Sequence, residues 1–124
     1  MGDRLATIFK ARKEFMTLLK KNIPEAMPDN IDPTSKEGQK YLRDIALYGV
    51  EEMFEALQHL KNWKSHRKTD VGEDFNREEF LEEMVDAYNY FFSLMIHLGI
   101  NEDEFYEAYF KKHSIIKDRL KNGY

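Results

Sequence analysis

Proline is confined to one short stretch of this chain, and that confinement favours helices on both sides of it. Pro24, Pro28 and Pro33 are the three prolines of the sequence. The long segments that flank them lack proline and are rich in Leu, Glu, Lys, Met and Ala, which favour helix over strand. Because proline interrupts a helix interior, residues 23–33 are predicted to form a loop. The sequence therefore predicts an all-α fold of the helix-bundle type.

Start and stop signals divide the chain into four predicted helices. They cover about residues 4–22, the segment from Thr34 to about Asn62, the segment from Asn76 to Gly99, and the segment from Asn101 to about Lys121. The predicted capping pairs are Thr34 with Glu37, Asn76 with Glu79, and Asn101 with Glu104. Gly99 is a typical C-terminal stop. Residues 63–75 are polar, contain Gly72 and are predicted to be a mobile connection.

Length, composition and charge exclude several classes of protein. The 124 residues, 42% of them hydrophobic, fit one globular domain over residues 1–124. The absence of cysteine excludes disulfide scaffolds, thiolate zinc sites and cysteine nucleophiles. A net charge of −4 argues against a nucleic-acid polymer or an anionic membrane as the main partner. The N-terminal segment is charged where a signal peptide needs an apolar stretch, so we expect a cytoplasmic protein.

Two pairs of carboxylates occur at helical spacing. Glu52 and Glu55 lie on the second predicted helix, and Glu83 and Asp86 lie on the third. Residues three positions apart project from the same side of a helix, so each pair shares one side. If the two helices pack antiparallel, the four carboxylates can converge. Such a set of hard oxygen ligands suits Mg²⁺.

The competing interpretation is that both acidic pairs lie on solvated helix faces, as most such clusters do. At about 100° per residue, each pair is offset from an apolar stripe on its own helix. These stripes run through Val50, Met53 and Leu57 on the second helix and through Phe80, Met84, Tyr88 and Phe91 on the third. The four histidines form no two-histidine metal spacing either. The acidic pairs alone leave both interpretations open.

Residues further along the chain complete a known pattern. Trp63 and Lys64 follow the first acidic pair, and the dipeptide Leu98-Gly99 closes the third predicted helix. The C-terminal segment supplies Lys112, Arg119, Gly123 and Tyr124 in order. With E-x-x-E and E-x-x-D before them, these residues resemble the dimeric dUTPase family within the all-α, MazG-like nucleoside triphosphate pyrophosphohydrolases. The resemblance covers residues 42–124.

The resemblance implies a Mg²⁺-dependent homodimer that hydrolyses a deoxynucleoside triphosphate, dUTP in the first place, to the monophosphate and pyrophosphate. It implies that Mg²⁺ is held by Glu52, Glu55, Glu83 and Asp86, and that Glu52 orients or deprotonates the attacking water. The implied phosphate contacts are Lys64, Lys112, Arg119 and Tyr124. The implied positions around the base are Trp63, Arg12, Asn89 and His113.

The positions that read the base and sugar depart from the family pattern. Arg12 occupies the place of a glutamine, Asn89 that of a histidine, and His113 and Ile116 those of two asparagines. A different substrate, such as dCTP or a purine or modified nucleotide, is therefore an alternative to dUTP. A non-catalytic helical interaction protein on the same fold is the alternative from another class. For Trp63, core packing is the alternative to stacking on a base.

The third predicted helix is apolar around most of its circumference. Its apolar residues are Phe80, Leu81, Met84, Val85, Tyr88, Phe91, Phe92, Leu94, Met95 and Leu98. This set is wider than the stripe of about 100° that a surface helix needs. We therefore expect the helix at the centre of a larger assembly, and the family resemblance implies a two-fold dimer.

Overall fold

The computed structural model describes residues 3–61, 63–66 and 75–123. In these residues it contains four α-helices, one 3-10 turn and no strand, which confirms the all-α prediction. The elements are α1 (Arg4–Asn22), the 3-10 turn (Pro24–Ala26), α2 (Lys36–Leu57), α3 (Arg77–His97) and α4 (Glu102–Asn122). None of these helices is long and apolar enough to cross a bilayer. The predictions for Asn62, Gly72, Tyr124 and most of the 63–75 connection lie outside the described residues.

Contacts within the chain group its residues into two compact units. The first unit contains α1, the 3-10 turn, the last residues of α3 and all of α4. The second unit covers Asp29–Leu94 and contains α2 and most of α3. The two acidic pairs belong to the second unit.

In the first unit, α1 packs against α4 and anchors the proline-containing segment. Phe9 is only 1% exposed, and its ring centroid lies 6.2 Å from that of Phe105 on α4. The Lys20 ammonium donates to the carbonyl oxygens of Pro24, at 2.8 Å, and Met27, at 2.6 Å. The first part of the predicted loop, from Pro24 to Met27, is therefore a turn that is tied to the end of α1.

The start of α2 lies one residue later than predicted, and Thr34 is not its cap. The backbone N–H and the hydroxyl of Thr34 both donate to Oδ1 of Asp32, at 2.9 and 2.7 Å. Ser35 is the N-cap instead, because its hydroxyl oxygen accepts from the backbone N–H of Gly38 at 2.9 Å. The Thr34–Glu37 prediction is wrong because the nearby Asp32 carboxylate competes for Thr34.

The boundaries around α3 and α4 follow the predicted signals. Asn76 accepts from the backbone N–H of Glu79 at 3.0 Å, and Asn101 accepts from that of Glu104 at 2.9 Å. Gly99 follows the end of α3 with a φ of 75°, which a residue with a Cβ rarely adopts. These two caps and this stop signal are confirmed.

The end predicted for α2 is wrong. The helix ends at Leu57 rather than near Asn62. Beyond it the chain tightens into 3-10 geometry, in which each N–H donates to the carbonyl three residues before it. These bonds join Gln58 to Glu55 at 3.1 Å, His59 to Ala56 at 3.1 Å, and Leu60 to Leu57 at 2.9 Å.

Helices α2 and α3 pack antiparallel in the second unit. Near the middle of α2, the Tyr48 ring lies 5.7 Å from the Tyr90 ring in an edge-on arrangement. Just beyond the C-terminal end of α2, His59 contacts Glu83 near the start of α3. Because residue numbers rise along one helix as they fall along the other, the helices run in opposite directions. This arrangement is the one that convergence of the acidic pairs requires.

Small residues allow α2 and α3 to approach each other closely. A Cβ atom added at Gly49 would lie 2.9 Å from two ring carbons of Phe91 and 3.2 Å from the carbonyl oxygen of Ala87. Ala87 itself is completely buried. Gly49 is therefore in α2 because the backbone of α3 passes beside it, although glycine is a poor helix former.

We expect Gly49→Ala to destabilise the protein by roughly 1 kcal/mol, because overpacking against Phe91 and Ala87 outweighs the gain in helix propensity. Ser114→Ala, at an exposed position of α4, is the matched control and should be neutral or slightly stabilising. Urea unfolding of the two variants and the wild type measures the difference. A Gly49→Ala variant as stable as the control would contradict the close approach of the helices.

Candidate functional site

The four predicted carboxylates lie together on the packed pair of helices α2 and α3. Glu52 and Glu55 come from α2, and Glu83 and Asp86 come from α3. Glu52 interacts electrostatically with each of the other three. We call these four residues the carboxylate cluster. The antiparallel packing of the two helices therefore brings both acidic pairs to one site.

The cluster lies partly on the packed face of α2, which corrects the predicted apolar stripe. Val50 and Leu57 are exposed, by 41% and 44%, and Met53 is only half-buried. The buried residues of α2 are Gly38, Leu42, Ile45, Gly49 and Ala56. Glu52 continues this spacing, three residues after Gly49 and four before Ala56, and it is half-buried.

The stripe predicted for α3 departs from the structure only at Tyr88, because Phe80, Met84 and Phe91 are half-buried. Ala87 is buried on the face towards α2, whereas the neighbouring Tyr88 is 48% exposed. Glu83 lies one turn before Ala87 and is half-buried, while Asp86 is exposed. Each helix therefore contributes one half-buried and one exposed carboxylate, so a fully solvated face does not describe the cluster.

The environment of Glu52 favours its protonated form. Partial burial raises the pKa of Glu52 above its ordinary value of 4.5, and the charge of Glu55 raises this pKa further. A hydrogen bond with the Glu55 side chain, which requires a proton between the two carboxylates, acts in the same direction. The charges of Asp86 and Glu83 contribute smaller increases. Glu52 is thus the carboxylate on which the charge of the whole cluster acts.

Glu83 carries a buried oxygen with no completed hydrogen bond. Its Oε2 atom is inaccessible to solvent and has no hydrogen-bond partner among the described residues. Nε2 of His59 lies 3.1 Å from this oxygen, in a close approach that lacks hydrogen-bond alignment. The side chains of His59 and Glu83 are 19% and 30% exposed. A buried carboxylate oxygen in this state needs a donor or a cation.

The chemistry of the donor set fits Mg²⁺. The cluster offers only carboxylate oxygens, which this cation prefers, and the incompletely paired oxygen of Glu83 belongs to it. In the side-chain positions of the described residues, no three Asp, Glu or His groups are arranged to hold one ion. Joint coordination therefore requires some of these carboxylates to change rotamer.

Trp63, which is exposed, and Lys64, which is half-buried, form a pair after the end of α2. The Lys64 ammonium lies 5.4 Å from the centroid of the Trp63 ring, which is a cation–π arrangement. Trp63 is 74% exposed, so the alternative that it packs in the core of this chain is wrong. Its ring face is accessible to a partner, as stacking on a base requires.

The remaining predicted residues lie on other parts of the helices. Arg12 on α1 stacks over Phe15, with its guanidinium carbon 4.9 Å from the ring centroid. Asn89 is half-buried on α3, and Arg119 is exposed in the last turn of α4. Tyr124 lies outside the described residues.

Lys112 and His113 lie together on α4. The His113 ring stacks on Tyr109, with 6.3 Å between centroids and an interplanar angle of 11°. Both residues line a groove of about 330 Å³. The residues of this groove are Phe105, Ala108, Tyr109, Lys112, His113 and Ile116. The structure therefore places two of the predicted substrate-contacting residues in one concave surface.

His59 is the residue of this site that the sequence analysis missed. A search for two histidines at metal-ligand spacing does not identify His59. The signal was its position four residues after Glu55 and seven after Glu52, which places all three on one side of a helix. That spacing predicts a shared face, but the contact of His59 with Glu83 depends on how the helices pack.

Comparisons of this chain with protein families, with curated proteins and with solved structures give no match.

The raised pKa of Glu52 predicts a pH-dependent stability in the absence of metal. Because the native state binds this proton more tightly than the unfolded state, the stabilisation is fully present below the ordinary pKa of 4.5 and is lost as the pH rises through the raised value. We expect Glu52→Gln to match the wild type near about pH 4 and to exceed it by about 0.2–0.5 kcal/mol near about pH 7, the size of a like-charge repulsion on a helix.

Chemical denaturation at low ionic strength across this pH range measures the effect, since salt screens such charges. Glu51→Gln removes the same charge from an exposed neighbour and should give a smaller change with pH. A Glu52→Gln variant that loses stability at neutral pH would show that the cluster is not under repulsion.

Proposed function

We propose that this protein hydrolyses a deoxynucleoside triphosphate to the monophosphate and pyrophosphate with the help of Mg²⁺. The observation that carries the proposal is the carboxylate cluster, in which Glu52 interacts with Glu55, Glu83 and Asp86 across two packed helices. Four carboxylates held together repel one another, and a divalent cation relieves that repulsion. The motif resemblance supports the nucleotide as substrate.

The residues of the cluster divide into two roles in the proposed reaction. Glu52, Glu55, Glu83 and Asp86 would hold Mg²⁺, which when bound neutralises charge on the phosphate oxygens and acidifies the attacking water. Glu52 orients this water and accepts its proton. The elements of water add across the bond between the α- and β-phosphates, and the products are the nucleoside monophosphate and pyrophosphate.

The environment of Glu52 suits this role. A general base works best when its pKa lies near the working pH, because it must be free to accept a proton and must also hold it. Partial burial and the neighbouring carboxylates raise the pKa of Glu52 in that direction. Glu55, Asp86 and Glu83 contribute to this raised pKa by their charges, and Glu55 also contributes by its hydrogen bond.

Cations and aromatic rings elsewhere on the chain supply the proposed substrate contacts. We assign phosphate binding to Lys64, Lys112, Arg119 and Tyr124, among which arginine is suited to a bidentate grip. The exposed Trp63 is a stacking surface for the base, and Arg12, Asn89 and His113 are the further base-side positions. The residues of the cluster set the reaction, and these positions set the choice of nucleotide.

We expect Glu52→Gln and Asp86→Asn to abolish pyrophosphate release, because each removes a charge that holds the cation. The assay is a panel of deoxynucleoside triphosphates, dUTP and dCTP included, with Mg²⁺ and with detection of pyrophosphate. Glu51→Gln and Glu82→Gln are the matched controls, since each removes the same charge from an exposed neighbour outside the cluster. Both controls should retain most of the wild-type rate.

The same panel distinguishes the alternatives. Turnover of dUTP above the other nucleotides supports the dUTPase assignment, whereas preference for another nucleotide keeps the reaction and changes the substrate. If Glu52→Gln keeps near-normal activity at saturating Mg²⁺, the role of the cluster is refuted. A wild-type chain without metal-dependent turnover on any nucleotide supports a non-catalytic interaction protein.

We propose, in addition, that the protein functions as a homodimer. In the single chain, α4 contains no buried residue among those described. Its exposed apolar residues are Tyr106, Tyr109, Phe110, Ile115, Ile116 and Leu120. On α3, Leu81, Val85 and Tyr88 are also about half exposed. Apolar surface of this kind on two helices is typical of chains that pack against a partner.

Sedimentation velocity at micromolar concentration should give about twice the chain mass. Leu81→Glu and Val85→Glu place a charge on the exposed face of α3 and should shift the protein towards monomer. Glu79→Lys, on the exposed first turn of α3 and about 160° around the helix from Leu81, is the control for a charge change that leaves the apolar face intact. A monomeric wild type with full activity would refute the dimer.

A further inference from the structure

His59 lies beside the carboxylate cluster but is not one of its proposed metal ligands. It follows the end of α2, and its backbone N–H donates to the carbonyl oxygen of Ala56 at 3.1 Å, which continues the helical turn. The contact of His59 with Glu83 places its side chain beside the carboxylate cluster. The His59 side chain is 19% exposed, so its position is defined by packing rather than by solvent.

The imidazole lies beside a buried oxygen of the cluster that lacks a completed hydrogen bond. Nε2 of His59 lies 3.1 Å from Oε2 of Glu83, which is buried and otherwise without a hydrogen-bond partner among the described residues. A buried carboxylate oxygen without a donor is unfavourable, and a ring N–H at this distance can satisfy it once it is aligned. The inner oxygen of Glu83 is thus directed at His59, which leaves its second oxygen, Oε1, for another ligand.

We propose that His59 is a positioning residue for Glu83: a reorientation of the imidazole aligns its Nε2–H with Oε2, and the resulting hydrogen bond fixes the carboxylate so that Oε1 would bind the cation. This inference rests on the proposed metal-dependent function. A ligating carboxylate is commonly oriented by a hydrogen-bond donor behind it, and loss of such a donor weakens metal binding. His59 acts through Glu83 and contacts neither the metal nor the substrate.

Two substitutions separate this role from a packing role. His59→Gln retains an N–H donor at a similar reach, whereas His59→Phe keeps the ring shape and removes the donor. His66, which is exposed, supplies the control His66→Phe. Calorimetric titration of the whole chain with Mg²⁺ and with Mn²⁺, in the absence of nucleotide, measures the affinity of the site without reference to activity.

We expect His59→Phe to weaken binding of both cations by the same factor, about 10- to 100-fold. His59→Gln should recover most of that affinity, and His66→Phe should match the wild type. Long-range ¹H–¹⁵N spectra supply a readout without metal: they should show His59 protonated at Nε2, and Glu83→Gln should shift that nitrogen signal.

Several results would overturn the proposal. Equal affinity of His59→Phe and the wild type, with or without a lower melting temperature, would show that His59 only packs. A much larger loss for Mn²⁺ than for Mg²⁺ would make His59 a direct ligand, because imidazole favours the former. Protonation at Nδ1 rather than Nε2 would remove the donor.

Failure of the proposed function has a separate signature. A wild type that binds neither cation, with Glu52→Gln unchanged from it, would refute the metal site, and the role of His59 with it. If the wild type binds both cations and His59→Phe binds them with the same affinity, only the role of His59 is refuted.

Discussion

The close approach of α2 and α3 determines where the charged groups of this protein meet. Gly49 has no side chain at the contact, and Ala87 has only a methyl group, which is completely buried. The two helices therefore approach so closely that a Cβ atom added at Gly49 would collide with α3. Three residues beyond Gly49 lies Glu52, and one turn before Ala87 lies Glu83. The small residues and the half-buried carboxylates therefore lie on the same helix faces. The packing that buries the small residues also brings the carboxylates together.

This arrangement acts against the electrostatics of the chain. Like charges one turn apart on a helix cost a few tenths of a kcal/mol per pair, whereas burial of apolar side chains contributes about 1.5–3 kcal/mol for each large one. Packing residues such as Leu42 and Ile45 thus outweigh the repulsion and hold the cluster in place. Partial burial and the repulsion from neighbouring carboxylates together raise the pKa of Glu52. Such a site is stabilised by any species that brings positive charge.

Much of the fold could be predicted from the sequence, because caps and stops are local. Asn76 and Asn101 cap helices, and Gly99 ends one, through interactions with residues at most four positions away. All three have the predicted role in the structure. Thr34 fails as a cap because Asp32 competes for it. The buried stripe of α2 was misplaced because large residues were assumed to face inwards, whereas Gly49 and Ala56 do so and Leu57 does not. The amino-acid composition does not identify the positions at which a small residue is required because the backbone of a neighbouring helix passes beside it.

The candidate site divides in the same way between local and tertiary information. The i, i+3 spacing of Glu52 with Glu55 and of Glu83 with Asp86 is local, so the order of residues along the chain is enough to reveal it. Their meeting required only that two helices pack antiparallel, which is common for neighbouring helices in a chain. The approach of His59 to the inner oxygen of Glu83 depends on the register between α2 and α3 and on the tightened turn after Leu57. The sequence holds the separate parts of that contact, while the Gly49–Ala87 packing determines that they face each other.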